Sequence, residues 1–429
     1  MNVEQAPPAA LVLGFSALGW CFLAAVGVGV ARLSGALAAH QFAAFGVLGV
    51  VHLFTLGFLT TSMMGTLYQW IPVVFDVPAV PAHLAVRQAA IWLGGVGVFV
   101  AGWFSGSVAL VAAGGGVAAL ALLLFTLLVS ERMAKSARRR DTIFWTVSAS
   151  LVGLNLTWVL GLGMALSWNT PAVGGFVPFW LPLHLATALV GWVGFLVLGV
   201  ELKLVPMFAM ASLAGVMTGG PPALAGLGYL LFGLKPWLGA STGFFAAAAW
   251  LGAAVWALGQ VFLAITRSRA PGRPDPVFVA TVSGWLLWVA AAALSAEAGW
   301  AAVALAMAGA GLFLLGYQSR ILPFVVALAI SRRLPGPAVK AFYLARGLQP
   351  VWAPPMAAAL WLAMVLGVTS GVESGQAWQV RLGAAFLEAA VVVHVVSLAA
   401  MAYARRGTSN ALGSREQSPG EAPRPGSDL

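Results

Sequence analysis

The chain has 429 residues, of which 61% are hydrophobic and only 8% charged, and its mean hydropathy is +0.94. A soluble domain carries about 25% charged residues, so too few polar side chains exist to clothe a water-facing surface, and a soluble globule is excluded. Twenty-two Lys and Arg against twelve Asp and Glu give a net charge of +10. The placement of that excess in short loops speaks for a membrane address and against nucleic acid as a partner. Cys21, the single cysteine, lies in an apolar run, which excludes an internal disulfide and any two-thiolate site.

A membrane-crossing helix needs about 20 mostly apolar residues. In chain order such runs fall at 10–31, 43–66, 89–106, 108–129, 142–165, 181–204, 223–240, 243–265, 277–295, 299–321, 350–370 and 380–402. The fold class they predict is an all-α membrane protein with twelve transmembrane helices. Residues 1–406 form one membrane domain, and the Gly-, Ser- and Pro-rich stretch 407–429 a disordered cytoplasmic tail. Met1-Asn2-Val3-Glu4-Gln5 lacks a basic leader, so the first run is read as a permanent helix. Loop 4–5 carries Arg132, Lys135, Arg138, Arg139 and Arg140, loop 8–9 carries Arg267, Arg269 and Arg273, and loop 10–11 carries Arg332, Arg333, Lys340 and Arg346. Arg405 and Arg406 follow the last run. The positive-inside rule then predicts a multi-pass protein of the cell (inner) membrane with both termini cytoplasmic.

Three of the runs end alike: Gly65-Thr-Leu-Tyr-Gln69-Trp-Ile-Pro72, Gly199-Val-Glu-Leu-Lys203-Leu-Val-Pro206 and Gly316-Tyr-Gln-Ser-Arg320-Ile-Leu-Pro323. Each has a long polar side chain four residues after the glycine and a proline seven after it. A second echo opens the fifth and ninth runs, as Asp141-Thr-Ile-Phe144 and Asp275-Pro-Val-Phe278. The period of four helices predicts a pseudo-threefold arrangement of four-helix arcs. The glycine is expected to admit a close neighbour, the proline to stop the helix at water, and Gln69, Lys203 and Arg320 to snorkel to the headgroups.

Of the five histidines, His40 and His83 fall in or near loops, whereas His52, His184 and His394 fall inside runs. An imidazole in a membrane bundle is costly and is a functional-site hypothesis by default; the bland alternative is a hydrogen bond to a neighbouring helix. His52 precedes Gly65, and His184 precedes Gly199, by about 20 Å at roughly 1.5 Å per residue, which sets both in the outer part of equivalent helices. The equivalent stretch of the tenth run, 300–302, has no histidine. Neutral imidazole suits haem iron, copper or zinc, and the lack of an accompanying carboxylate cluster or thiolate disfavours zinc. Glu201 and Lys203 are read as reaching the interface. Glu388 and Arg320 are read as interhelix hydrogen-bonding groups, with a proton path or a haem-propionate contact as the alternative. No HExxH, phosphate loop or Ser-His-Asp order supports hydrolase chemistry.

The segments His52-Leu-Phe-Thr-Leu-Gly-Phe with Tyr68-Gln-Trp-Ile-Pro72, and His184-Leu-Ala-Thr-Ala-Leu-Val-Gly-Trp-Val-Gly with Leu204-Val-Pro206-Met-Phe208, resemble divergent members of the haem–copper oxidase subunit I superfamily. The resemblance implies twelve helices in three arcs about a pseudo-threefold axis. It matches His52 to a second-helix ligand of a low-spin haem, places His184 on the helix that supplies a copper ligand, and puts Ala188 where the main-type oxidases carry a cross-linked tyrosine. The paired histidines of the family's seventh helix are missing from 223–240, and its His-x-His is missing from 299–321, so oxygen reduction and proton pumping are not implied. What remains is a haem-binding membrane protein, with copper as a further cofactor, whose ligands come from His52, His184 and His394. The metal proper would sit at His52 and His184, and the role would be electron transfer or one related to a diatomic gas. No Cys-x-x-Cys-His is present, so the electron donor would be a separate cytochrome or a quinone. A secondary transporter and a cofactor-free assembly subunit of a respiratory complex are the competing readings.

Overall fold

The computed structural model describes residues 5–139, 141–167, 177–213, 216–270, 275–295, 299–331, 344–345 and 347–416. Among these there is no strand, and eleven helices are long and apolar enough to cross a membrane. They are α1 (Ala9–Arg32), α2 (Phe45–Phe75), α3 (Ala82–Ser105), α4 (Val108–Met133), α5 (Thr142–Ser167), α6 (Trp180–Ala209), α8 (Ser241–Thr266), α9 (Pro276–Leu294), α10 (Gly299–Ser331), α11 (Ala353–Glu373) and α12 (Ala377–Tyr403). The seventh expected run also forms a helix, α7 (Gly220–Leu238). Its opening Pro221-Pro222 and closing Lys235-Pro236 make it less apolar than the rest. The chain is thus a multi-pass membrane protein, with side chains such as Leu127, Val152, Leu366 and Val392 turned outward where lipid would cover them. The last helix continues to Glu416. Residues 417–429 of the expected tail, and the basic residues Arg140, Arg273, Arg332, Arg333, Lys340 and Arg346, lie outside the described residues.

The three helices that carry the glycine–proline motif are the central ones. In α2, α6 and α10, 72%, 67% and 67% of the most apolar stretch is buried, against 50% or less in the other eight spans. Packing runs along α3–α4–α5–α6, along α7–α8–α9–α10, and along α11–α12–α1–α2, each run ending on a central helix. A Cβ added to the motif glycine would meet Phe15 of α1 at Gly65, Val147 of α5 at Gly199 and Ala280 of α9 at Gly316. The glycine therefore does what its spacing predicts, and in each case the close neighbour is the preceding helix. Residues two before and one after the three glycines (Met63, Val197, Leu314 and Thr66, Val200, Tyr317) line one central cavity of about 40 Å³.

The prolines do not stop their helices. α2 and α6 run three residues beyond Pro72 and Pro206 and end on Asp76 (φ 54°) and Met210 (φ 50°), while α10 runs through Pro323 to Ser331. A proline removes its own N–H from the ladder and crowds the carbonyl four residues back, yet all three helices continue past it. In both shorter cases the proline carbonyl is reused at the terminus, accepting from Val77 N (3.2 Å) or Ala211 N (2.9 Å), as in a Schellman turn.

Nor do all the motif's polar residues snorkel. Gln69 is buried, with its Oε1 unbonded. Arg320 pairs with Asp275, the residue whose carboxylate caps α9 by accepting from Val277 N at 3.1 Å. Asp141 caps α5 in the same way, accepting from Ile143 N at 3.0 Å, so the second echo is a pair of N-caps.

Glu201 does not reach the interface either. It is buried, and both carboxyl oxygens accept from Trp285 Nε1 of α9, at 2.9 and 2.8 Å. Its counterpart two residues after Gly316 is Gln318, which accepts from Trp20 Nε1 of α1 at 2.8 Å. Both tryptophans stand five residues after the contact of their own helix with its motif glycine, so one hydrogen bond is built twice. The corresponding positions of α5 (Leu151, Val152) and α2 (Leu67) are all apolar. Trp285→Phe keeps the ring against Phe313 but leaves a buried carboxyl without its donor. The expected loss is about 1–3 kcal/mol, read by SDS titration or thermal melting, with recovery when Glu201→Leu is added.

Candidate functional site

α2 and α6 share a feature that hydropathy does not reveal. Leu53–Thr60 and Thr187–Gly194 are π-helical, and both segments occupy the twelfth to the fifth residue before the motif glycine. Each has a glycine eight residues before it. Gly57 faces Phe22 of α1, and Gly191 lies backbone to backbone against Gly153 of α5. In α2, Thr60 Oγ1 and Thr61 Oγ1 donate to the carbonyls of Thr55 (2.8 Å) and Leu56 (3.1 Å), five residues back, which matches the wider winding. Short π segments inside α-helices are frequent at functional sites. The first begins at the residue after His52, the second three residues after His184.

His52 stands 13 residues before its glycine and His184 stands 15 before its own. At about 100° per residue that offset turns the two rings to opposite sides of their helices. His52 leans toward α3, stacked on Trp103 (5.4 Å between centroids, 10°) with its ring edge-on to Phe99 (5.0 Å, 80°). His184 leans toward α5, across Gly161. Because α3 and α5 belong to one packing run, the opposite rotations turn both imidazoles toward that run, His52 against α3 and His184 against α5. Ala165 of α5, one turn from Gly161, clusters with Phe99 and Trp103 of α3, so one compartment of this run borders both rings. Phe99, Trp103, Val111 and Ala165 form a separate apolar cluster beside it, with Leu48 and Leu56 of α2 packed against it.

Each imidazole is held the same way. His52 Nδ1 is 2.7 Å from the carbonyl of Leu48, and His184 Nδ1 is 3.0 Å from the carbonyl of Thr157. A carbonyl accepts only, so Nδ1 carries the proton and Nε2 keeps its lone pair. This is how metal-bound histidines are fixed by their surroundings. The compartment thus offers two oriented Nε2 donors, an aromatic wall and a glycine surface at Gly161. Among the described residues no group of three or more His, Cys, Asp or Glu is assembled. Two imidazoles fall short of the three or four protein ligands that zinc takes. Haem iron, whose four equatorial ligands come with the porphyrin, asks only one or two such imidazoles of a protein.

His394 stands elsewhere, between α12 and α1. It is buried, stacked on Trp20 (3.6 Å, 11°), and its Nε2 is without a hydrogen bond. Glu388, two turns away on the same helix, lies against Gly27 of α1. Ser16, Ser62 and Ser397 of the same neighbourhood also have buried unpaired hydroxyls. His40 links the α1–α2 connection to α11, with Nε2 3.0 Å from the carbonyl of Val372, and His83 is exposed in the first turn of α3. The sequence reading missed the π segments and the roles of Thr157 and Gly161. The paired glycines Gly57 and Gly191, in register with the repeat, are the signal that was there to be read. No protein-family model matches the chain, and no curated protein matches it.

Proposed function

We propose that this chain is an integral-membrane haem protein on an oxidase-like scaffold, with His52 and His184 as the iron ligands and electron transfer or a diatomic-gas-related role as its work. The observation that supports the reading is the pair of imidazoles, one from each of two central helices that share a motif, turned toward one packing run with Nδ1 tied to a carbonyl and Nε2 left with its lone pair. Haem bound there would supply a one-electron couple and, with one ligand released, a site for a diatomic gas. The chain's own residues supply the rest. Leu48 and Thr157 fix ring orientation, the carbonyl bonds raise ligand basicity, and Trp103 and Phe99 wall the compartment. Two ligands at fixed positions favour electron transfer with little rearrangement.

The scaffold reading takes α7 as a twelfth span and the three packing runs as arcs about a pseudo-threefold axis through the small central cavity. The fourfold helix period of the glycine contacts and the twice-built tryptophan bond support it. With twelve spans, the basic connections 4–5, 8–9 and 10–11 share a side with both termini, which the positive-inside rule makes cytoplasmic. The donor would be a separate cytochrome or a quinone; copper is a secondary candidate for the same two nitrogens. The test is a reduced-minus-oxidised spectrum of the detergent-purified protein, with a pyridine haemochrome and metal analysis on the same sample. The expected result is a Soret band with the sharp α band of a six-coordinate, bis-imidazole iron. A colourless preparation after expression with added haem precursor overturns the reading.

A further inference from the structure

Between α4 and α5 a groove of about 470 Å³ opens sideways on the lipid-facing surface of the bundle. Leu151, Val152 and Leu156 line one stretch of it, Val152 and Leu156 themselves exposed, and the polar groups there, Asn155 and Thr126, are hydrogen-bonded to each other at 3.0 Å. Toward the end where α4 finishes and α5 begins, the walls are Ser130, Met133, Ala134, Phe144 and Ser148. That end is strongly basic: residues 131–141 hold five Lys or Arg against Glu131 and Asp141. Arg139 donates to the carbonyl of Ala134, a wall residue, so its guanidinium sits at the mouth of the groove. Arg132 and Lys135 both pair with Glu131, which leaves this rim positively charged overall. Trp145, 62% exposed on the first turn of α5, stands where an interfacial aromatic anchor belongs.

An apolar slot between two membrane helices, closed by cations at headgroup depth, has the chemistry of an acidic-lipid site. We propose that the α4–α5 groove holds an anionic phospholipid, with an acyl chain along Leu151 and Leu156 and its phosphate at Arg139 and Lys135. A zwitterionic lipid would fill the same slot, but its own cation would oppose the rim. The charge is therefore what selects the occupant, and the proposal stands apart from the haem site.

The test uses lipid-stripped full-length protein in detergent, with dioleoyl phosphatidylglycerol, dioleoyl phosphatidylcholine and inorganic phosphate as probes, read by native mass spectrometry and thermal melting. The expected result is that phosphatidylglycerol binds at least tenfold tighter than phosphatidylcholine and raises the melting temperature, while phosphate alone does neither. Lys135→Gln with Arg139→Gln should erase the preference without changing the lipid-free melt. Ser148→Trp, or Ser148→Leu if the larger residue impairs folding, should abolish retention of phosphatidylglycerol. Equal binding of the two lipids, a preference that survives the double charge variant, or a quinone in place of phospholipid as the groove-dependent co-purifying molecule would each overturn the proposal.

Discussion

Replacing His52 by alanine is expected to lower the haem-to-protein ratio more than tenfold while leaving helicity and elution volume unchanged. The imidazole sits at a helix position whose ring makes one hydrogen bond, to the carbonyl of Leu48, and otherwise only stacking contacts to Trp103 and Phe99. Removing it therefore costs the fold little, and if His52 holds haem as proposed, the effect is the loss of one of its protein ligands. His184→Ala should do the same, since its ring is held by the equivalent bond to Thr157. His394→Ala should leave the spectrum untouched, because that ring is stacked on Trp20 away from the compartment. Added imidazole should restore the six-coordinate spectrum of the His52→Ala protein by occupying the vacated space. Equal haem content in all three variants and the parent would remove His52 and His184 from the role proposed for them.

The second large effect is expected at Gly153. A Cβ there would run into the backbone of Gly191, inside the π-helical segment of α6. Backbone cannot rotate aside as a side chain can, so α5 and α6 must separate. Gly153→Val should cost about 3 kcal/mol or more, the upper end of overpacking penalties. The same separation pulls the carbonyl of Thr157, one turn along α5, away from His184, so haem retention should fall together with the melting temperature. Gly14→Val is the control, since nothing lies within 4 Å of a Cβ at that position, and it should melt like the parent. A Gly153→Val protein with unchanged melting would mean that the α5–α6 contact is looser than described.

The helices themselves were legible because crossing a bilayer demands a composition that few other structures need. That α2, α6 and α10 share a motif was legible too, through glycines at a fixed distance from a proline, but that they are the most buried helices was not. What escaped was whatever depends on partners distant in the chain. Glu201 reads like an interfacial carboxylate until Trp285, 84 residues later, is seen to bond it. Arg320 reads both as a snorkelling cation and as an interhelix bonding group, and only the structure names Asp275 as its partner. The helix ends beyond Pro72 and Pro206 escaped because a proline near a terminus costs one bond that the Schellman-type turn replaces. The two-residue offset between His52 and His184 was visible as a number, but its meaning depends on which neighbour lies on each side of the helix. Hydrophobic pattern alone does not choose between them.

The packing of α1 against α12 bears on how the molecule is made. α1 is backed by a helix that leaves the ribosome long after α1 itself, so the first helix waits, half-sheltered, while the rest of the chain is threaded into the bilayer. α5 and α6, which follow α3 and α4 directly, can close on themselves much earlier. Leu48, Phe99, Trp103, Thr157 and Gly161, which surround His52 and His184, all belong to the first six helices, so that compartment is complete before the second half of the chain enters the bilayer.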